Sequence, residues 1–169
     1  MFPKLLLLTT IGLSSIALNA PSAISRIETG TGDLLRTMAH LGVRVYPNSN
    51  GCPKGTAGMF KYIPRPELHI CYEGNSLTAN EFDTVRHEAW HYLQYCVGPK
   101  KPQPLSTFHS DKDSYVQFIR NGLSDTTVKR ISSSYRDNVL APELEAFAAA
   151  QQLTAGQISS LIRKHCIKV

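Results

Sequence analysis

The clearest chemical signal in the chain is the pattern H-E-x-x-H, formed by His87, Glu88, Ala89, Trp90 and His91. Residues four apart lie on one face of an α-helix, so the imidazoles of His87 and His91 can reach one metal ion. Glu88 lies on the neighbouring face, where its carboxylate can take a proton from an attacking water. The pattern predicts a zinc hydrolase site with two histidine ligands and Glu88 as the general base.

A catalytic zinc needs a third protein ligand and one open position. The candidates are Glu143 and Glu145, which follow Pro142, a residue favoured at the first position of a helix. The two carboxylates would point to different sides, because residues two apart diverge by about 200°. We assign the ligand role to Glu145, since the small residues after it would let its helix approach the metal helix closely. Glu143 would lie in the first turn, where the helix dipole alone favours an acidic residue.

The reaction also needs a donor that stabilises the transition state beside the metal. Tyr135, Arg136 and His109 all precede the third-ligand helix, and we expect Tyr135 to take this role. His109 and Asp137 are the fallback metal ligands. Gln94 continues the ligand face by one turn and is expected to hydrogen-bond near the site.

The elements that must position these residues are marked by caps and periodicity. Thr78 and Glu81 form a capping box, and Gly98-Pro99 follows the apolar stripe, so the metal helix is predicted at about 80–97. Other helices are predicted at residues 33–41, 115–121, 124–133, 142–153 and 154–166. Strands are predicted at residues 43–46, 59–63 and 68–72, the last two as an antiparallel pair.

The N-terminus has the layout of a secretory signal peptide, with Lys4 before an uncharged apolar run over 5–18 and small residues up to Ala23. We therefore predict a signal peptide at 1–23 and a single domain at 24–169, secreted or periplasmic. An uncleaved membrane anchor is the alternative. Contact with a membrane is expected only through this segment.

Export changes the interpretation of the four cysteines, which are Cys52, Cys71, Cys96 and Cys166. In an exported chain an even number of cysteines predicts disulfides rather than zinc ligands, and no C-x-x-C pair is present. Of the three possible pairings we favour Cys52–Cys71, which would tie the strand pair. Cys96–Cys166 would then join the last helix to the end of the metal helix.

Composition fits one globular domain: the chain has 169 residues, of which 42% are hydrophobic and 18% charged. The net charge is +5, but the basic residues are scattered along the chain. Nucleic acid is therefore not an expected partner.

The chain resembles the zincin metallopeptidases, and within them the gluzincins, in which two histidines and a downstream glutamate bind zinc. The matching parts are the H-E-x-x-H pattern and the helix that bears Glu145; the surrounding motif over 86–94 is also similar to small exported metallopeptidase-like proteins of bacteria and phages. The resemblance implies a zincin-like α+β fold, in which a small antiparallel β-sheet precedes the active-site helix and a helical C-terminal part. It implies one zinc ion per chain, held by His87, His91 and Glu145, with Glu88 as general base. The family's usual aspartate four residues after the glutamate is replaced by Ala149.

We therefore expect a secreted zinc peptidase that hydrolyses peptide bonds in peptide or protein substrates. The alternatives are a zinc amidase or effector acting on cell-wall or host targets, and a non-catalytic binding protein stabilised by zinc. Glu88 favours catalysis, because a structural zinc site has no need of a carboxylate beside the metal. The sheet edge and the loop at 100–113 are expected to determine specificity.

Overall fold

The structure, a computed structural model, describes residues 30–47, 52–71, 79–99 and 105–167. The predicted signal segment and Thr78 of the predicted capping box lie outside these ranges. Within them the protein is mostly helical, with six helices and one sheet of three strands, which confirms the α+β class. The helices are α1 (Thr31–His40), α2 (Ala79–Val97), α3 (Lys112–Gly122), α4 (Asp125–Ser134), α5 (Asp137–Gln152) and α6 (Ala155–Cys166). The strands are β1 (Arg44–Tyr46), β2 (Gly58–Lys61) and β3 (Glu67–Ile70).

The sheet has the strand order β1-β3-β2. Strands β2 and β3 are antiparallel, as predicted, with Phe60 opposite Leu68. Strand β1 pairs with β3 in parallel, with Val45 beside Leu68, so the sheet is mixed and the expectation of a wholly antiparallel sheet is wrong. Strand β1 does not form a hairpin with its chain neighbour β2, which would have made it antiparallel to β2. It lies on the other side of β3 and runs in the same direction as β3. Strand β2 is consequently an edge strand.

The core forms where α2 packs against α5, α6 and the sheet. Its centre contains Trp90 and Leu93 of α2, which are almost completely buried. Ala146 and Ala149 of α5 belong to the same buried cluster. Because alanine side chains are small, the two helices can approach closely, as the sequence predicts for α5. Burial of each large apolar side chain in such a core contributes about 1.5–3 kcal/mol.

Helix α5 begins five residues earlier than expected. It starts at Asp137, and Pro142 lies inside it rather than at its first position. The amides of Val139 and Leu140 already bond to the carbonyl of Arg136, which shows that the first turn is complete before the proline. Proline lacks one helical hydrogen bond at this position. Pro142 is buried in the packed interior, so tertiary contacts outweigh the local preference.

Both predicted disulfides are confirmed. One joins Cys52 to Cys71, across 19 residues, and the other joins Cys96 to Cys166, across 70 residues. The second bridge holds the C-terminal end of α6 against the C-terminal end of α2. None of the helices in the described ranges is both long and apolar enough to cross a membrane.

The longer disulfide loop should stabilise the domain more than the shorter one, because a larger loop removes more entropy from the unfolded chain. We expect the double substitution Cys96→Ser and Cys166→Ser to lower the free energy of unfolding by about 4 kcal/mol. The matched control, Cys52→Ser with Cys71→Ser, should cost about 3 kcal/mol. Urea unfolding of the mature chain measures both values. An equal or larger loss in the control would contradict the prediction.

Candidate metal centre

Helix α2 places the two histidines of the H-E-x-x-H pattern side by side. The Nε2 atoms of His87 and His91 are 3.1 Å apart, and the two ring planes are perpendicular. Both side chains are buried. The two imidazoles thus aim their Nε2 atoms at one point, as the four-residue spacing predicts.

The carboxylate that joins them belongs to Glu143 of α5. Its Oε2 lies 3.3 Å from Nε2 of His87, and its Oε1 lies 3.5 Å from Nε2 of His91. One ligand atom from each of the three residues lies within 4.8 Å of the others. Among the described residues, this group could hold a metal ion.

The spacing fits a small tetrahedral ion. Ligand atoms about 2.0–2.2 Å from such an ion lie about 3.3–3.5 Å from one another. The two Nε2 atoms are 3.1 Å apart, Oε2 of Glu143 lies 3.3 Å from that of His87, and Oε1 lies 3.5 Å from that of His91, so each histidine has a carboxylate oxygen at about this separation. In addition, Oε2 of Glu143 is buried and has no hydrogen-bond partner in the part of the chain that the structure describes. A buried acceptor without a donor is costly, and a cation would satisfy it.

The electrostatics of this centre favour positive charge. Burial disfavours the carboxylate of Glu143, but its contacts with His87 and His91 outweigh burial and lower its pKa to about 2. Burial likewise disfavours the charged ring of His91, but Glu143, the charge of Glu88 and a bond to Gln94 raise its pKa to about 9. Without a metal, the centre therefore retains a proton on His91. A metal ion would take the place of that proton.

Glu145, the ligand expected from the sequence, does not lie at this point. It is completely buried and accepts hydrogen bonds from Trp90 and Gln94 of α2, among others. The difference follows from helix geometry: Glu143 and Phe147 are four apart and share a face, and the ring centroid of Phe147 lies 4.4 Å from that of His87. Glu145 lies between them in sequence and therefore points elsewhere.

The two histidines are oriented by different means. Nδ1 of His91 bonds to Oε1 of Gln94 at 2.8 Å, so the predicted contact of Gln94 with the site is present. Nδ1 of His87 is buried without a hydrogen-bond partner among the described residues. Its ring is held instead by the contact with Phe147, a residue that the sequence analysis did not single out. The spacing of four residues between Glu143 and Phe147 would have predicted that both lie on the same face of α5.

Two clefts meet beside the metal centre. The smaller, of about 280 Å³, reaches His91 and Glu143, and the larger, of about 650 Å³, extends away from them. The two clefts have four lining residues in common, namely Gly58, His87, Glu88 and Tyr135. The base and the donor predicted from the sequence therefore lie at the junction, next to the two histidines.

Gly58 brings the edge strand β2 against α2 at this junction. A Cβ atom at this position would lie 2.4 Å from Cγ2 of Thr84 and 3.1 Å from Cγ of Glu88. Such distances are too short for any side chain, so the glycine permits the close approach of strand and helix. Gly58 is not predicted as a site residue from the sequence, since nothing local marks a close approach between two elements.

The phenol of Tyr135 stays protonated over a wide pH range. Burial is the main cause, and the charges of Glu143 and Glu88 add to it, so that its pKa rises to about 12. Tyr135 is thus a hydrogen-bond donor in the cleft.

The remaining candidates lie elsewhere. Asp137 and Arg136 are exposed at the start of α5 and do not join the metal group. His109 contacts Glu145, with its Nδ1 2.8 Å from Oε1 of the carboxylate. Asp83 of α2 pairs with Arg86 and Gln151.

Comparison of the chain with protein-family models, with curated proteins and with solved structures gave no match.

The geometry predicts that Glu143→Gln loses the metal. The substitution keeps the volume of the side chain but removes its charge, so we expect zinc affinity to fall more than about 100-fold, beyond the usual effect of an outer-shell partner. Zinc titration against a competing chelator measures this affinity. The matched control is Asp137→Asn, the same chemical change at an exposed position of the same helix. Equal affinity in Glu143→Gln and the control would show that Glu143 is not a ligand.

Proposed function

We propose that the protein is a secreted zinc peptidase of the zincin type, with His87, His91 and Glu143 as metal ligands. The observation that carries this proposal is the position of Glu88. It lies beside the candidate metal group and lines both clefts, so a carboxylate is available where a substrate would enter. A purely structural metal site has no use for such a group.

The donor set supports zinc in particular. Two imidazoles and one carboxylate with a position open to a cleft are the arrangement of a catalytic zinc site. Bound zinc supplies Lewis-acid polarisation of a carbonyl and lowers the pKa of water. Two histidines with a glutamate from a later helix is the ligand set of the gluzincins, with Glu143 in the position that the resemblance assigned to Glu145.

Glu88 would act as the general base. Glu88 is only 7% exposed and follows His87 directly on α2, so the rigid helix fixes its position relative to the ligands. In the proposed reaction it takes a proton from the attacking water and returns it to the leaving amine. Positioned proton transfer of this kind contributes about 10²–10⁴-fold to rate.

Tyr135 would stabilise the charge that develops on the carbonyl oxygen. It lines both clefts, as do His87 and Glu88 of α2. Its raised pKa keeps the proton on the phenol at any physiological pH, so it can donate a hydrogen bond to an oxyanion.

An extended polypeptide fits the surroundings of the site. Met59 and Phe60 of the edge strand β2 line the smaller cleft. The outer edge of such a strand offers backbone donors and acceptors that an extended peptide can pair with. Glu88 lines both clefts, which favours a chain that continues past the scissile bond over a small amide.

The disulfides are consistent with the proposed location. Two bridges indicate an oxidising compartment, as found outside the cytosol. Secretion itself is proposed on the sequence features of residues 1–23.

We expect Glu88→Gln to retain zinc and to lose hydrolysis. The amide cannot accept the proton, so the rate should fall by about 10²–10⁴-fold, whereas the three ligands are unchanged. Peptide release from an unfolded protein substrate, followed by mass spectrometry, gives the rate, and elemental analysis gives zinc per chain.

The control for this experiment is again Asp137→Asn, which should match the wild-type protein in both measurements. Zinc-loaded wild-type protein that cleaves no peptide would favour a non-catalytic, zinc-stabilised protein. Full activity in Glu88→Gln would exclude Glu88 as the base.

Tyr135→Phe should lower kcat while leaving both KM and zinc content nearly unchanged. Loss of one donor to an oxyanion costs about 10²–10³-fold in kcat. The phenylalanine retains the ring, whose centroid lies 6.2 Å from that of Phe147, so the packing of the cleft should persist. An unchanged kcat would assign Tyr135 to packing alone.

A further inference from the structure

The carboxylate of Glu145 is completely buried but fully supplied with donors. Its Oε2 accepts hydrogen bonds from Nε1 of Trp90 at 3.1 Å, from Nε2 of Gln94 at 2.8 Å and from the amide of Phe108 at 2.7 Å. Its Oε1 accepts one from the amide of His109 at 2.9 Å, and Nδ1 of the same residue lies at 2.8 Å. A buried carboxylate is stable only with such compensation. Every bond requires Glu145 to act as an acceptor.

Because Glu145 can only accept hydrogen bonds, it fixes the orientation of the side-chain amide of Gln94. Its amide nitrogen donates to Oε2 of Glu145 and, at 3.0 Å, to the carbonyl of Pro142. Both partners are acceptors, so the NH₂ group must face them and the amide oxygen must face the other way. That oxygen lies 2.8 Å from Nδ1 of His91.

The tautomer of His91 follows from the orientation of Gln94. An amide oxygen only accepts, so Nδ1 of His91 must carry a proton. In the neutral ring Nε2 then has no proton and presents its lone pair to Glu143 and His87, where a metal ion would lie. The chain Glu145–Gln94–His91 therefore selects the ring form that can bind metal.

The same carboxylate also holds one wall of the cleft. The segment over 105–109 docks on α5 through the two backbone amides that bond to Glu145. Ring contacts of Phe108 with Trp90 and of His109 with Phe118 support it. Leu105, at the start of this segment, lines the smaller cleft. One buried group thus supports both a ligand and the wall beside it.

We infer that Glu145 is a positioning residue, which fixes the metal-binding tautomer of His91 through Gln94 and anchors the cleft segment 105–109 through its backbone. The inference rests on the proposed function in one respect, that His91 is a zinc ligand. A merely structural role for Glu145 would affect stability but neither zinc affinity nor the proton on Nδ1.

The first test is Glu145→Gln, which keeps the volume but replaces one acceptor oxygen with a donor. Gln94 can then rotate and turn its NH₂ group towards Nδ1 of His91. We expect the zinc Kd to rise about 10- to 100-fold. In ¹⁵N-histidine-labelled, metal-free protein at alkaline pH, where imidazole rings are neutral, the Nδ1 proton of His91 should be observed by NMR in the wild type and lost or broadened in the variant.

A second variant covers the case in which Glu145→Gln does not fold. Gln94→Met breaks the same chain at its middle and leaves the bonds between Glu145 and the 105–109 segment in place. We expect the same rise in zinc Kd and the same loss of the Nδ1 proton signal.

The matched control is Trp90→Phe, which removes another donor from the same Oε2 atom without touching Gln94. It should lower the free energy of unfolding but leave the zinc Kd within about twofold, since no ligand partner is lost. Zinc binding weakened as much in Trp90→Phe as in Gln94→Met would indicate general loosening of the core and overturn the inference.

Two outcomes separate the inference from the proposed function. Wild-type zinc affinity together with a retained Nδ1 proton in both Glu145→Gln and Gln94→Met overturns the inference and leaves the zinc site standing. If the wild-type protein binds no zinc, the proposed function fails. The tautomer is read in the metal-free protein, so the inference stays testable: a wild-type Nδ1 proton that Gln94→Met loses supports it, and an unchanged one overturns it.

Discussion

The close packing of α5 against α2 is the constraint on which the rest of the molecule depends. It is possible because α5 presents alanines, Ala146 and Ala149 among them, to the buried face of the long helix. The short distance between the two backbones lets Glu143 reach the histidines and lets Glu145 reach the polar residues one turn further on. Larger side chains at these positions would separate the helices, and both carboxylates would lose their partners.

Two glutamates two residues apart therefore have opposite environments on one helix. Glu145 is surrounded by donors and cannot be replaced by a neutral acceptor without leaving some of them unpaired. Glu143 keeps 18% of its side chain exposed and has a buried oxygen without a donor among the described residues. The number of protein donors around each carboxylate thus distinguishes the group available to a cation from the group that supports the scaffold.

Local signals in the sequence were sufficient for the parts of the molecule that local physics determines. The H-E-x-x-H helix, the helices predicted at 124–133 and 154–166 and both disulfides agree with prediction. The choice between Glu143 and Glu145 was not local, because both carboxylates meet α2 and the packing of the two helices decides which of them reaches the histidines. The early start of α5, before Pro142, and the parallel pairing of β1 have the same origin: contacts between distant segments outweigh the preference of the nearest residues.

The contact at Gly58 determines the shape of the surface as well as the packing below it. Gly58 lines both clefts, and a Cβ atom there would meet Thr84 and Glu88 of α2. Any side chain at this position would therefore push β2 away from α2 and displace the wall that the two clefts share. The absence of a side chain at one position of the edge strand thus sets the width of the gap between Glu88 and the strand that faces it.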